Sequence, residues 1–128
     1  MIPVRDYMST IPHSIGSEQM LSVAHEMMRR HSIRHLPVLQ GGKLVGLVSD
    51  RDLRFIETLK DVDPERVRVE EAMATDIYAI DPTEMLAKVA AEMAERKLGS
   101  AVVMQQGKVI GILTTTDICR ALADVLRR

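Results

Sequence analysis

The chain has no tryptophan, one phenylalanine (Phe55), two tyrosines (Tyr7, Tyr78) and one cysteine (Cys119) among 128 residues. A single thiol cannot form an intramolecular disulfide, and the start Met1-Ile2-Pro3-Val4-Arg5-Asp6 lacks the long apolar stretch of a signal peptide; the reducing cytoplasm is the expected compartment. No apolar run approaches the roughly twenty residues that cross a bilayer, so direct membrane insertion is not expected. Acidic and basic residues are interspersed and nearly cancel, at a formal net charge of −1, which leaves no basic patch for nucleic acid. With so few aromatics, aliphatic side chains and the nine methionines must fill the interior, methionine being the side chain that adapts to irregular gaps.

Signatures of catalysis are missing too. There is no phosphate-binding loop, nucleophile elbow or paired-carboxylate motif. His31 and His35 are four apart, but Pro37 turns that segment toward a strand, off a single helical face, and no cysteine pair or acidic cluster completes a ligand set. Cys119 falls in an amphipathic terminal helix without an activating base. Neither an enzyme nor a metal protein is expected.

What is present is a repeat. Val4–Arg54 lies over Val69–Cys119 at a constant shift of 65 residues without a gap. The identities are Val4/Val69, Met8/Met73, Thr10/Thr75, Ile15/Ile80, Met20/Met85, Leu21/Leu86, Met28/Met93, Val38/Val103, Gln40/Gln105, Gly42/Gly107, Lys43/Lys108, Gly46/Gly111 and Asp52/Asp117. Chance would supply roughly three or four over such a window, so the chain is read as a duplication. A half of about sixty residues buries too little surface to be stable alone, and the two halves are expected to share a core.

Each copy reads as the same string of elements. Ser17 and Asp81 suit an N-cap and Pro82 a first helical turn, which predicts helices from about Glu18 and Pro82. Leu21, Ala24 and Met28 recur as Leu86, Val89 and Met93, the i, i+3, i+7 stripe of a helix with one buried face. Two apolar runs follow, Leu36–Gln40 and Lys43–Ser49 around Gly41-Gly42, matched by Ala101–Gln105 and Lys108–Thr114 around Gln106-Gly107. A glycine at a two-residue corner supplies the positive φ of a hairpin turn, so these are antiparallel neighbours. Second helices are predicted over about Asp50–Lys60 and Thr115–Leu126. The polar segment Asp61–Arg66, with Pro64, reads as the connection, giving one domain over residues 1–62 and another over 63–128. The fold class is mixed α/β, two β-α-β-β-α units with short lead-ins at Val4–Met8 and Val69–Met73.

Two motifs close the hairpins: Gly46-Leu47-Val48-Ser49-Asp50-Arg51-Asp52 and Gly111-Ile112-Leu113-Thr114-Thr115-Thr116-Asp117. With His35-Leu36-Pro37-Val38 entering the first hairpin and Met8-Ser9-Thr10 and Met73-Ala74-Thr75 opening the repeats, the chain resembles a tandem CBS-domain (cystathionine β-synthase domain) protein, or Bateman module. The resemblance covers nearly the whole chain and rests on two G-h-h-[ST]-x-x-D motifs at the repeat spacing.

That resemblance implies a pseudo-two-fold, non-catalytic regulatory module with two clefts between repeats. Its expected ligand is an adenosyl small molecule of the AMP, ADP or ATP type, with no cofactor required, a homodimeric assembly and an unidentified effector protein. Carried over, Asp52 and Asp117 take the ribose hydroxyls and Ser49 and Thr114 lie near ribose and phosphate. Thr10, Ile11, Leu36, Pro37 and Val38, with Thr75, Ile77, Ala101 and Val102, enclose the adenine. Chemistry agrees, since a carboxylate accepts two hydrogen bonds from a vicinal diol and a helix N-terminus favours an anion. The same Ser-x-x-Asp and Thr-x-x-Asp are also capping-box variants, and a ligand-free structural or dimerisation module is the alternative.

The copies differ in charge. Arg34, His35 and Arg51 correspond to Gly99, Ser100 and Thr116, so only the first repeat supplies cations suited to phosphate oxygens. Pro37 corresponds to Val102, and Ile11 to Asp76. The two clefts are expected to be unequal.

Overall fold

A computed structural model describes residues 1–10 and 13–128. Its elements run β1 (Ser9–Thr10), β2 (Ile15–Gly16), α1 (Leu21–His31), β3 (His35–Gln40), β4 (Lys43–Ser49), α2 (Asp50–Glu57), β5 (Ala79–Ile80), α3 (Leu86–Arg96), β6 (Ser100–Gln105), β7 (Lys108–Thr114) and α4 (Thr115–Leu126), with single 3-10 turns at Val4–Asp6 and Val69–Glu71. From β2 and from β5 the order is β-α-β-β-α twice, as the duplication implies. No helix among the described residues is long and apolar enough to cross a membrane.

The chain divides into two compact units that are not the two halves of the sequence. One is His13–Ile77; the other joins Met1–Pro12 to Tyr78–Arg128. In the first, β2 runs parallel to β3 and β3 antiparallel to β4. Gly41 and Gly42 turn the hairpin at φ 57° and 80°, the positive pair of a type I′ corner. In the second unit β5, β6 and β7 repeat that arrangement, Gln106 and Gly107 turning at φ 53° and 76°, and β1 adds a fourth strand beside β7.

Each unit has its own core. Leu21, Ala24 and Met28 of α1 pack with Leu36, Val38, Val48, Leu53 and Val69. Leu86, Val89 and Met93 of α3 pack with Ala101, Val103, Leu113, Ala121 and Val4. Each of these cores draws a fully buried valine from the lead-in of the opposite repeat. Backbone bonds fix that exchange: Val4 N–H donates to Glu84 O and Leu86 N–H to Ile2 O, while Val69 N–H donates to Gln19 O and Leu21 N–H to Val67 O, all at 2.7–2.8 Å.

The same bonds correct the predicted helix starts. Met20 and Met85 are the N-caps, in extended conformation, and they bridge to Arg68 and Pro3. Glu18 and Pro82 lie in turns, closed by Gln19 N–H to Gly16 O and Glu84 N–H to Asp81 O at 3.1 Å, and helix begins only after Met20 and Met85, which are held extended against the incoming lead-in. Asp81 instead closes a separate turn, accepting from the Thr83 N–H and hydroxyl at 2.9 and 2.6 Å, bonds that hold its carboxyl below the usual range. α2 also ends earlier than predicted, at Glu57.

Candidate functional site

The motif glycine at the head of each strand-to-helix junction is set by close approach. A Cβ on Gly111 would lie 2.8 Å from the Ser9 carbonyl oxygen, and one on Gly46 would strike Met73 and come within 3.0 Å of the Ala74 carbonyl oxygen. Small backbone there lets the lead-in pair with the hairpin: Leu47 and Ala74 exchange both hydrogen bonds, at 2.9 and 2.8 Å, and Ser9 and Thr10 register with Ile112 and Gly111. Thr75 and Thr10, both exposed, are thereby carried to the edge of β4 and of β7 respectively. Ile77 is half-buried, and Ile11 lies outside the described residues.

Strand alternation sorts the hairpin residues. Leu36 and Val38, like Ala101, turn into the cores, so the contribution they can make to a ligand is backbone. His35 and Pro37 occupy the other face of β3, opposite Ser49 and Leu47. Val102 holds the matching position on β6, buried but outside the core cluster. Arg34 and Arg51 are exposed at the same end of the first unit, where Asp50 N–H donates to Arg34 O at 2.8 Å.

At that end the strand-to-helix junction is a reciprocal capping box. Asp52 Oδ2 accepts from Ser49 N–H at 3.1 Å and from the Ser49 hydroxyl at 2.8 Å, while Asp52 N–H donates to Ser49 Oγ at 3.1 Å. The other carboxylate oxygen, Oδ1, receives no hydrogen bond from a described residue. Burial holds the half-buried His35 imidazole below its ordinary pKa, opposed by the nearby Asp52 carboxylate. Ser49, Asp52, His35, Arg34 and Arg51 therefore belong to one end of the first unit, where Asp52 Oδ1 is free of hydrogen bonds from the described residues.

The second junction differs at its aspartate. Asp117 Oδ2 accepts from Thr114 N–H at 2.9 Å and Thr114 Oγ1 at 3.2 Å, and its Oδ1 accepts from Arg120 Nη2 at 2.6 Å. Both oxygens of this carboxylate are engaged, and the residue is only 3% exposed. Sequence reasoning missed Arg120, although its i+3 spacing from Asp117 on a helix was a legible signal.

Among the described residues no cluster of three or more histidine, cysteine or acidic side chains could hold a metal. His31 closes α1 and stacks its ring on His13 at 3.7 Å, while His35 stands on β3. Cys119 is a free, exposed thiol.

Two β-α-β-β-α units, each ending in a strand-to-helix junction closed by an aspartate, define a tandem-repeat module. The CBS-domain family model matches residues 4–57 and 69–124, and the chain belongs to that family. CBS domain pairs are in general regulatory and not catalytic. The chain is 26% identical over 118 residues to the CBS domain-containing protein YhcV of Bacillus subtilis, covering 92% of this chain and 84% of that one. It superposes on the crystal structure of the CBS domain pair of protein MJ0100 in complex with 5′-methylthioadenosine and S-adenosyl-L-methionine with a TM-score of 0.87, at 25% identity, covering 97% and 98% of the two chains. It is 31% identical over 106 residues to the inosine-5′-monophosphate dehydrogenase of Korarchaeum cryptofilum, 82% of this chain but 21% of that enzyme.

Proposed function

We propose that this CBS pair, with domains at residues 1–62 and 63–128, binds an adenosyl ligand and passes its occupancy to an effector protein. The observation that carries the reading is the free Oδ1 of Asp52, fixed by the capping box and able to accept from a ribose diol. The adenosyl compounds bound by the MJ0100 pair support the ligand class. Arg34 and Arg51 favour a phosphate-bearing member, AMP, ADP or ATP, over an uncharged one. The matching segment of the Korarchaeum dehydrogenase, a fraction of an enzyme chain, supports an effector of the enzyme kind. A lone exposed thiol suits the reducing cytoplasm.

The module acts as a homodimer through the outer faces of α3 and α4. Ala87, Ala91 and Ala94 stand on α3 where α1 has Ser22, Glu26 and Arg29, and Leu122 and Val125 stand on α4 where the first repeat has Glu57 and Lys60. The first repeat shows that the fold does not require these apolar residues. Of these, Ala87, Leu122 and Val125 border a groove of about 440 Å³ together with Ala90, Met1, Ile2 and Ile118, small on one wall and bulky on the other, which suits a second copy of itself.

Calorimetric titration of a nucleotide-free preparation with AMP, ADP, ATP, 5′-methylthioadenosine and S-adenosylmethionine tests the ligand reading. Heat and a raised melting temperature with at least one of them are expected, because a ligand selective for the folded state stabilises it. Silence with all five at saturating concentration overturns it and leaves the second reading, a ligand-free dimerisation module, which the full engagement of Asp117 favours.

A further inference from the structure

The repeats offer an internal comparison at the aspartate itself. Asp52 and Asp117 occupy the same position of the same junction, and each uses Oδ2 to cap its helix. They part at Oδ1. In the second repeat Arg120 donates to it at 2.6 Å, and the same Nη2 reaches the Tyr7 carbonyl oxygen at 3.3 Å, so the guanidinium is held from both sides. Its neighbourhood is tied further by the Tyr7 hydroxyl, which donates to Asp124 Oδ2 at 2.6 Å. In the first repeat the position equivalent to Arg120 is Phe55, which is 64% exposed and offers no donor.

A ribose diol binds a carboxylate by donating two hydrogen bonds. It finds an acceptor oxygen without a partner at Asp52 and a charge-assisted bond already in place at Asp117. Such bonds are about twice as strong as neutral ones. A diol hydroxyl, being neutral, exchanges unfavourably for a guanidinium on a carboxylate that is nearly closed to water.

We propose that Arg120 closes the second repeat's aspartate to a vicinal diol, so that each chain takes up one adenosyl ligand, at Asp52, and that Arg120 is the residue that sets this inequality. This rests on the adenosyl-binding reading and adds to it which aspartate serves and what disables the other. The exposed arm of Arg120 makes the closure reversible: its side chain keeps 54% of its surface in water while its partner carboxylate keeps 4%.

The test is calorimetric titration of the full chain with 5′-methylthioadenosine, a probe with a diol and no phosphate, so that cations do not bias the count. The wild type is expected to bind one equivalent per chain. Asp52→Asn should abolish that binding, and Asp117→Asn should leave it. Arg120→Ala and Arg120→Phe, the latter copying the first repeat, should raise the count to two, while Arg120→Lys should hold it at one. Two equivalents in the wild type, one residual equivalent in Asp52→Asn, or a count of one in folded Arg120→Ala overturns the proposal while leaving adenosyl binding intact. No binding of 5′-methylthioadenosine by the wild type or by Arg120→Ala overturns the proposal, and overturns the adenosyl reading with it when AMP, ADP, ATP and S-adenosylmethionine are equally silent. Should the Arg120 variants fail to fold, as circular dichroism would show, the Asp52→Asn arm decides alone, because it leaves Arg120 in place.

Discussion

Ser49 and Asp52 hold each other across the first turn of α2, the hydroxyl donating to Oδ2 at 2.8 Å and the Asp52 N–H donating back to the hydroxyl oxygen at 3.1 Å. The capping and binding roles of this motif are therefore compatible, since the cap uses one carboxylate oxygen and leaves the other. The two roles separate by substitution. Asp52→Ala removes both and should cost about 1 kcal/mol of stability in urea unfolding, with loss of ligand affinity. Asp52→Asn keeps an amide oxygen to accept from Ser49 N–H but removes the charge. It should unfold within about 0.5 kcal/mol of the wild type and still lose the ligand. Affinity preserved in Asp52→Asn would assign the residue to capping alone.

Gly111 and the Ser9 carbonyl give a second expectation. The Cβ of Gly111→Ala would sit 2.8 Å from a backbone oxygen that the β1–β7 pairing holds in place, so the strain cannot be relieved by rotating a side chain. Overpacking of this kind costs typically 1–3 kcal/mol. The denaturation midpoint should fall accordingly without change in the slope of the transition; an unchanged midpoint would show that the lead-in yields.

Much of this was legible in the chain itself. The duplication, the hairpins with their corners, the stripe Leu21, Ala24, Met28 and its copy, and the extent of α4 all follow from local periodicity and turn chemistry. The exchange of lead-ins was not legible, because nothing local to Val4 or Val69 says which core it enters; that is decided by backbone bonds to Glu84 and Gln19, distant in sequence. The helix starts failed for the same reason, a tertiary contact overriding the N-cap preference of Ser17 and Asp81. At the candidate site the capping residues were readable as a pattern, whereas the engagement of Asp117 by Arg120 required the side-chain geometry.

α3 ends without the glycine that such an end prefers. Lys97, exposed, takes the left-handed conformation at φ 56°, and Leu98 N–H bonds Met93 O at 2.8 Å in the manner of a Schellman cap. A non-glycine residue is penalised there by roughly 1–2 kcal/mol, while glycine loses about 0.5–1 kcal/mol more backbone freedom on folding. Lys97→Gly should therefore stabilise the protein by about 0.5–1 kcal/mol, read as a raised midpoint in thermal or urea unfolding. A lowered midpoint would mean that the lysine side chain makes a stabilising contact.

His35 sets an expected pH dependence. Burial first, and Arg34 with it, hold its pKa below the ordinary 6.5, against the raising influence of Asp52 and Asp50. The unfolded chain then takes up a proton at higher pH than the folded one. The sign follows: stability is fully present above about 6.5 and is lost as the pH falls from there through the lower folded value. His35→Gln should flatten that segment of the stability profile between pH 7 and 5 measured by urea unfolding. An unaltered profile would place the titration elsewhere.

Leu122 and Val125 test the proposed dimer. Leu122 is 56% and Val125 44% exposed on α4, so replacing them disturbs little of the interior, and substitutions at such positions usually change stability within about 0.5 kcal/mol. In a homodimer built on this face both residues occur twice across the two-fold, and Leu122→Glu brings a like charge and a desolvated carboxylate to the contact from both sides. The wild type should run at twice its 14.3 kDa chain mass in light scattering, and Leu122→Glu and Val125→Glu at the chain mass, with circular dichroism unchanged. The internal control is the first repeat: Lys60→Glu, at the position equivalent to Val125, should leave the assembly intact. A dimer that survives Leu122→Glu but dissociates with a substitution at exposed Phe55 would move the interface to α2, and a wild type at the chain mass would remove it.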